Sequence, residues 1–201
     1  MRGFALALVA VATLANSGFS QEKAKPTEAE TQAMAAIRKL GGHVLELAQN
    51  DARLDVALHL ADAKITDAEL VHVKALSKTA QLNLRGTEVT DAGLVHLKDL
   101  KGLVRLHLEK TKVTDAGLEQ LKGLENLEYL NLYGTAVTDA GLKQLEGLKK
   151  LKRVYLWETK VTDAGVAALK QALPELQIVR GVELAKPAEP KPEEKKPEEK
   201  K

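Results

Sequence analysis

The chain has 201 residues, no cysteine, 3% aromatic residues and a formal charge of +2. Without cysteine there are no disulfides, no thiolate metal sites and no lipid attachment through an N-terminal cysteine. So balanced a charge argues against nucleic acid as a partner, and so few aromatic residues call for an aliphatic core.

Residues 1–20 read as a secretory signal peptide. Arg2 supplies a positive start, Phe4 to Ala15 is a nearly continuous apolar run, and small or polar residues follow it. Cleavage is expected after Ser20, with Ala15 as the second candidate. The run is shorter than the about 20 apolar residues of a spanning helix, so the expected product is exported, either periplasmic or secreted, with no transmembrane segment.

Residues 21–53 are expected to form an N-terminal helical cap. Thr27-x-x-Glu30 has the form of a capping box. Met34, Ile37 and Leu40 then fall on one helix face, and Gly41-Gly42 ends the helix. His43 to Leu47 and Leu54 to Leu58 are placed to pair around Gln49-Asn50-Asp51.

Residues 54–183 carry a repeat. Val-Thr-Asp-Ala-Gly starts at Val89, Val113, Val137 and Val161, and an imperfect copy, Ile65-Thr66-Asp67-Ala68-Glu69, leads the series. A fixed period of about this size marks a solenoid, in which one supersecondary unit is stacked on its copies. The unit runs Leu103-x-x-Leu106-x-Leu108-x-x-Thr111-x-Val113 and then Thr114-Asp115-Ala116-Gly117-Leu118-x-x-Leu121-x-x-Leu124. Its first half alternates, which predicts a short strand with Leu106 and Leu108 inward and Arg105, His107 and Glu109 outward. Its second half spaces Leu118, Leu121 and Leu124 along one side of a short helix. Thr114-Asp115 sits where a helix N-cap is wanted, and Gly123 or Gly147 can end the helix. The other expected inward pairs are Leu58/Leu60, Leu82/Leu84, Leu130/Leu132 and Val154/Leu156. The last unit departs, with Leu169 followed by Leu173-Pro174, Leu176 and Ile178, as a terminal cap requires.

These units resemble the leucine-rich repeat family, whose hallmark is L-x-x-L-x-L-x-x-N/C-x-L. The strand halves Leu103-Val104-Arg105-Leu106-His107-Leu108 and Leu127-Glu128-Tyr129-Leu130-Asn131-Leu132 carry the likeness. The Val-Thr-Asp-Ala-Gly-Leu segment looks like the cysteine-containing subclass, with threonine at the hallmark Asn or Cys position: Thr87, Thr111, Thr135 and Thr159. Those hydroxyls are expected to satisfy turn backbone groups. The subclass is best known in substrate receptors of ubiquitin ligases. No F-box-like segment precedes the repeats, so that role is not carried over; secreted or envelope-associated bacterial repeat proteins look like the better match. The resemblance implies an α/β fold: a right-handed solenoid or horseshoe with a parallel inner sheet of about six short strands on its concave face and short helices outside.

Residues 184–201 are almost entirely Lys, Glu and Pro. That composition buries no core and is expected to be a disordered, solvated spacer.

The candidate sites divide sharply. Asp67, Asp91, Asp115, Asp139 and Asp163 form a column, each beside a threonine at a helix start, where capping and the helix dipole favour a carboxylate. Gly93, Gly117, Gly141 and Gly165 read as close packing, not as a phosphate loop. His72 and His96 fall on helix surfaces. His59 and His107 are expected in one outward column with Asn83 between them, about 10 Å apart and too far to share a metal. No nucleophile–base constellation appears, so neither enzyme activity, metal nor cofactor is expected.

One cluster rises above the scaffold. Tyr129, Tyr133, Tyr155 and Trp157 are the only aromatic rings of the Tyr, Trp and Phe type beyond residue 20. All four occupy outward positions of two consecutive units, with Asn131 between the first pair and Arg153 beside the second. Strands about 4.8 Å apart make these one contiguous patch, to which Arg105, His107 and Glu109 of the preceding strand add. Tyr, Trp and Arg dominate binding hot spots. The expected function is non-catalytic recognition of a protein or peptide on the concave strand face, by a monomer. The alternatives are a cell-envelope glycan stacked on the Tyr/Trp patch, or a purely structural envelope protein.

Overall fold

The computed structural model describes residues 25–181; the expected signal segment and the Lys/Glu/Pro tail lie outside the described residues. A helix, α1 (Glu28–Lys39), opens the fold. Thr27 Oγ1 accepts from the Glu30 N–H while Glu30 Oε2 accepts from the Thr27 N–H, which is the expected capping box. Gly41, at φ +85°, ends the helix in a conformation that favours glycine. Strands β1 (His43–Ala48) and β2 (Asp51–Ala57) then form the expected antiparallel hairpin.

From β2 onward every pairing is parallel: β3 (Thr79–Asn83), β4 (Arg105–His107), β5 (Tyr129–Asn131), β6 (Arg153–Tyr155) and β7 (Gln177–Val179). The seven strands form one sheet in chain order. Parallel neighbours need a crossover, and here each is short: α2 (Leu70–Lys74), α3 (Asp91–Leu94), α4 (Asp115–Leu118), α5 (Asp139–Leu142) and the longer terminal α6 (Asp163–Ala172). Single helical turns have no stability of their own; packing holds them. In one unit Leu103, Leu106, Leu108, Val113, Leu118, Leu121 and Leu124 are all 0% exposed, and each leucine buried this way contributes about 1.5–3 kcal/mol. The same columns in every unit join into one aliphatic core. The helices therefore cover one side of the sheet and leave the other, the open face, to solvent.

A polar ladder runs along the helix starts. Each threonine N-caps its own helix, as Thr114 does by accepting from the Ala116 N–H. The aspartates do something the sequence did not suggest. Asp115 does not cap its own helix; it reaches the next unit, where Oδ1 accepts from the Thr138 N–H at 2.7 Å and Oδ2 from the Thr138 hydroxyl at 2.6 Å. Asp67, Asp91 and Asp139 repeat this on Thr90, Thr114 and Thr162. The Thr162 hydrogen bonds hold the Asp139 carboxyl below the usual range. The glycine column follows from the same contact. A Cβ on Gly93, Gly117, Gly141 or Gly165 would collide with Oδ1 of the preceding unit's aspartate.

The ladder explains why the first copy is imperfect. Thr66 has no preceding unit to supply a carboxylate. Glu69 takes that role itself: its Oε2 accepts from the Thr66 N–H at 2.7 Å and the Thr66 hydroxyl at 2.8 Å. Burial would raise the Glu69 pKa, yet these donors outweigh it and the net shift is downward. Glu69 stands where later copies have glycine, and its own carboxylate takes the place that the preceding unit's aspartate fills in those copies. At the other end Asp163 is met by the Arg180 guanidinium, which also donates to the Val161 carbonyl.

The threonines at the hallmark position close the turn after each strand. Thr87, Thr111, Thr135 and Thr159 donate their hydroxyls to the carbonyls of Leu84, Leu108, Leu132 and Leu156 at 2.7–2.8 Å. Those turns also hold a left-handed column: Gly86, Lys110, Gly134 and Glu158 have φ of 70°, 54°, 68° and 54°. Gly123 and Gly147, expected to end helices, sit in ordinary turns without positive φ. A left-handed L-residue costs about 1–2 kcal/mol, partly offset by the entropy glycine would lose on folding. Glu158→Gly is therefore expected to stabilise the fold by about 0.5–1 kcal/mol, and Gly134→Ala to destabilise it by about as much; urea midpoints of the two variants check the opposite signs.

Two expectations are corrected at the first unit. Leu60 does not point inward; it is 58% exposed. The register sets Val56 beside Leu82 and Ala57 beside Asn83, so the buried pair is Val56/Leu58. The hairpin with β1 lets β2 run ahead of the repeat, and the chain turns at His59-Leu60. His59 consequently aligns with Arg85 and Glu109, not with His107, whose row partners are Asn83 and Asn131.

Candidate functional site on the open sheet face

Three rows of side chains cross the open face because successive parallel strands keep one register. The first row is Asp55, Gln81, Arg105, Tyr129, Arg153 and Gln177. The second is Ala57, Asn83, His107, Asn131, Tyr155 and Val179. The third lies just past the strand ends: Arg85, Glu109, Tyr133 and Trp157, joined by hydrogen bonds of the following turn such as Lys110 N–H to the Tyr133 carbonyl at 2.7 Å. Tyr133 and Trp157 thus stand in turns, not within strands, because each central strand is only three residues long.

The rings pack on one another. Tyr129 lies between His107 and Tyr155, with centroid separations of 4.8 and 5.4 Å. Tyr133 meets Trp157 at 5.5 Å. Two cations lie over these rings, Arg105 at 5.7 Å from the Tyr129 centroid and Lys110 Nζ at 5.4 Å from that of Tyr133. Such contacts add about 0.5–1 kcal/mol each at exposed sites. Burial raises the Tyr129 hydroxyl pKa. Trp157 stays 57% exposed, although Gly181 passes so close to it that a Cβ there would enter the indole.

Beneath the rings lies a polar node. Glu109, expected to point out, is 7% exposed. Its Oε1 accepts from Asn131 Nδ2 at 2.7 Å and lies 2.8 Å from His107 Nδ1. Asn131 is in turn fixed by accepting from the Tyr133 N–H at 3.1 Å. Glu109 is thus held between His107 of its own unit and Asn131 of the next. Among the described residues, Glu109 Oε2 and His59 Nδ1 are enclosed without a hydrogen-bond partner.

Burial disfavours a charged His59 and lowers its pKa, helped by Arg85 and His107 and opposed by Glu109 and Asp55. A histidine depressed in the fold resists a proton that the unfolded chain accepts near pH 6.5. Its stabilising contribution is thus complete above about pH 6.5 and lost as pH falls toward the folded pKa. The urea midpoint is expected to fall between pH 7.5 and 5.5 by less in His59→Gln than in the parent; an equal fall would contradict this reading.

The structure brings all nine candidate residues, Arg105, His107, Glu109, Tyr129, Asn131, Tyr133, Arg153, Tyr155 and Trp157, onto this one face. Sequence reasoning missed Arg85, Lys110 and Gln177. Arg85 and Gln177 stand in the same rows one unit beyond the patch, so extending the period in each direction finds them; Gln177 Oε1 accepts from Arg153 Nε at 3.2 Å. Among the described residues no group of three His, Asp or Glu side chains is placed to hold a metal, and no helix is long and apolar enough to cross a membrane.

No protein-family model and no curated protein matches the chain. Solved structures do. Internalin C2 of Listeria monocytogenes shares 29% identity at a TM-score of 0.47, over 54% of this chain and 44% of that one. A leucine-rich repeat protein of Leptospira interrogans shares 20% at 0.40, over 54% and 33%. The leucine-rich repeat ectodomain of an Arabidopsis thaliana receptor kinase shares 14% at 0.49, over 77% and 92%. The match spans less than half the length of the first two. In its own register, with one strand and one helical crossover per repeat and leucines and valines filling the inward columns, the chain has the architecture of a leucine-rich-repeat solenoid.

Proposed function

We propose that this protein is a non-catalytic scaffold, exported from the cytoplasm, that recognises a protein or peptide on the open, concave strand face. The observation that carries this reading is the aromatic cluster. Tyr129, Tyr133, Tyr155 and Trp157 all stand on the open face and contact one another in pairs, while the opposite, helix side carries Lys98, Lys122 and Lys143. Pre-packed rings and guanidinium groups lose little rotamer freedom on binding, which is what a hot spot needs.

The ring geometry favours a polypeptide over a glycan. A sugar stacks on a free ring face, and Tyr129 has His107, Tyr155 and Arg105 within 5.7 Å of its centroid. Tyr133 is similarly flanked by Lys110 and Trp157. The surface left over is a ridged mixture of ring edges and cations, suited to side chains.

A photo-crosslinking residue placed at Tyr155 tests this. Irradiated with envelope protein of the source cell, it is expected to give a discrete adduct band that the same residue at Lys122, on the helix side, does not. Adducts of equal yield at both positions, or at Lys122 alone, would move the recognition surface off the sheet.

A further inference from the structure

Three of the four arginines within the repeats, Arg85, Arg105 and Arg153, stand on the open-face rows, and the fourth, Arg180, is engaged by Asp163. Lys110 joins them over Tyr133, while lysines such as Lys98, Lys122, Lys143 and Lys170 carry the charge of the helix side. The two are not interchangeable: guanidinium presents a planar fork that matches a carboxylate in two parallel hydrogen bonds, and it stacks on aromatic rings. Among the described residues none of the three arginines forms an ion pair. The carboxylates facing them do not neutralise them: Glu109 is enclosed with His107 and Asn131, and Asp55 stands two strands from Arg105 in the row.

Arg105 and Arg153 flank Tyr129 in one row, one strand away on each side. Two strand spacings put their anchor points about 10 Å apart. Arg105 lies over the Tyr129 ring with its fork unengaged, and Arg153 spends only Nε, on Gln177. We propose that the recognised segment is an acidic, extended peptide, with two carboxylates on Arg105 and Arg153 and an intervening side chain against Tyr129 and Tyr155. A polyproline-II-like strand returns to the same face every third residue, about 9 Å on, so an acidic residue at every third position matches the pair. Arg85 extends the positive surface toward the first repeats. This inference rests on the reading of the open face as a recognition surface and names the chemistry of its partner.

The test uses dye-labelled peptides built from short Glu-Leu-Gly repeats, with Gln-Leu-Gly and Lys-Leu-Gly peptides of equal length and an oligogalacturonate as comparators. Anisotropy at low ionic strength is expected to show saturable binding of the Glu peptide, about tenfold or more tighter than the Gln and Lys peptides and weakened about tenfold or more by molar salt. Arg105→Gln/Arg153→Gln is expected to lose about tenfold or more of that affinity, and Lys98→Gln/Lys122→Gln none. Should the Gln pair not fold, as read by circular dichroism, Arg105→Lys/Arg153→Lys keeps the charge and removes the fork, and a several-fold loss is expected. Equal binding of the Gln or Lys peptide, or an unchanged arginine variant, would overturn the proposal. Oligogalacturonate binding tighter than the Glu peptide would overturn it in favour of an acidic glycan. Absence of Glu-peptide binding together with a specific Tyr155 adduct would overturn the acidic chemistry and leave the recognition face standing.

Discussion

Asp115→Ala is expected to destabilise the protein by about 3 kcal/mol, although the residue is only half-buried. Both carboxylate oxygens are committed to Thr138 of the next unit, one to its N–H and one to its hydroxyl. A hydrogen bond to a charged group contributes about 1.5–3 kcal/mol, and truncation also strands the Thr138 N–H. Asp115→Asn keeps one acceptor and should lose about 1 kcal/mol. Asp163→Ala is the internal control. Its side chain is 84% exposed and meets only Arg180, so about 0–1 kcal/mol is expected. Chemical denaturation of the three variants checks the order; equal losses at Asp115 and Asp163 would show that the inter-unit bonds do not carry the effect.

Gly141→Ala is expected to cost as much, and its sign is expected to depend on Asp115. Glycine in a helix is ordinarily worse than alanine by about 1 kcal/mol. Here the added Cβ would run into Asp115 Oδ1 and come within 3.1 Å of Leu118 Cδ1. The carboxylate must then leave Thr138, so a loss of about 3 kcal/mol is expected. In an Asp115→Ala background the obstructing atoms are gone and only the end of Leu118 must give way. Gly141→Ala should there be neutral or stabilising by up to about 1 kcal/mol. A double-mutant cycle reads this directly; additive losses would mean the glycine is needed for something other than the carboxylate.

The features legible in the sequence were those fixed by neighbours along the chain. The Thr27–Glu30 box, the turn at Gly41, the hairpin around Asn50 and the inward Leu106/Leu108 pair depend on local spacing, and all are found. The aspartate column was visible but its destination was not, because at a fixed period a carboxylate beside a helix start looks the same whether it serves its own unit or the next. The clue lay in the first copy, where Glu69 replaces glycine at the one position with no aspartate behind it. Leu60 misled because the hairpin, not the repeat, sets the phase of β2. Lys110 and Glu158 gave no sign of their left-handed backbone, since only Gly86 and Gly134 in that column carry the residue that advertises it. The patch was legible as a cluster, because register converts sequence period into spatial rows. The burial of Glu109 was not, because it depends on the side chains of the adjacent strand.

The stacking that makes the chain a solenoid also builds its face. Each unit donates three outward positions at fixed places, so a change of residue in one unit alters one stripe of the surface without disturbing the leucine columns behind it. The units centred on β5 and β6 each place rings at two of those three positions, and the two units before them carry Arg85, Arg105, His107 and the amides Gln81 and Asn83.

Trp157 is the only tryptophan in the chain and stands on the proposed surface, so its fluorescence reports on the central claim. Titration of the folded protein with envelope protein fractions of the source cell is the most direct measurement. The account predicts a saturable shift with one fraction that disappears in Tyr133→Ala and in Tyr155→Ala and persists in Lys122→Ala. Saturable binding by an independent readout with no change at Trp157, or a shift that survives both tyrosine variants, would contradict recognition on the open sheet face.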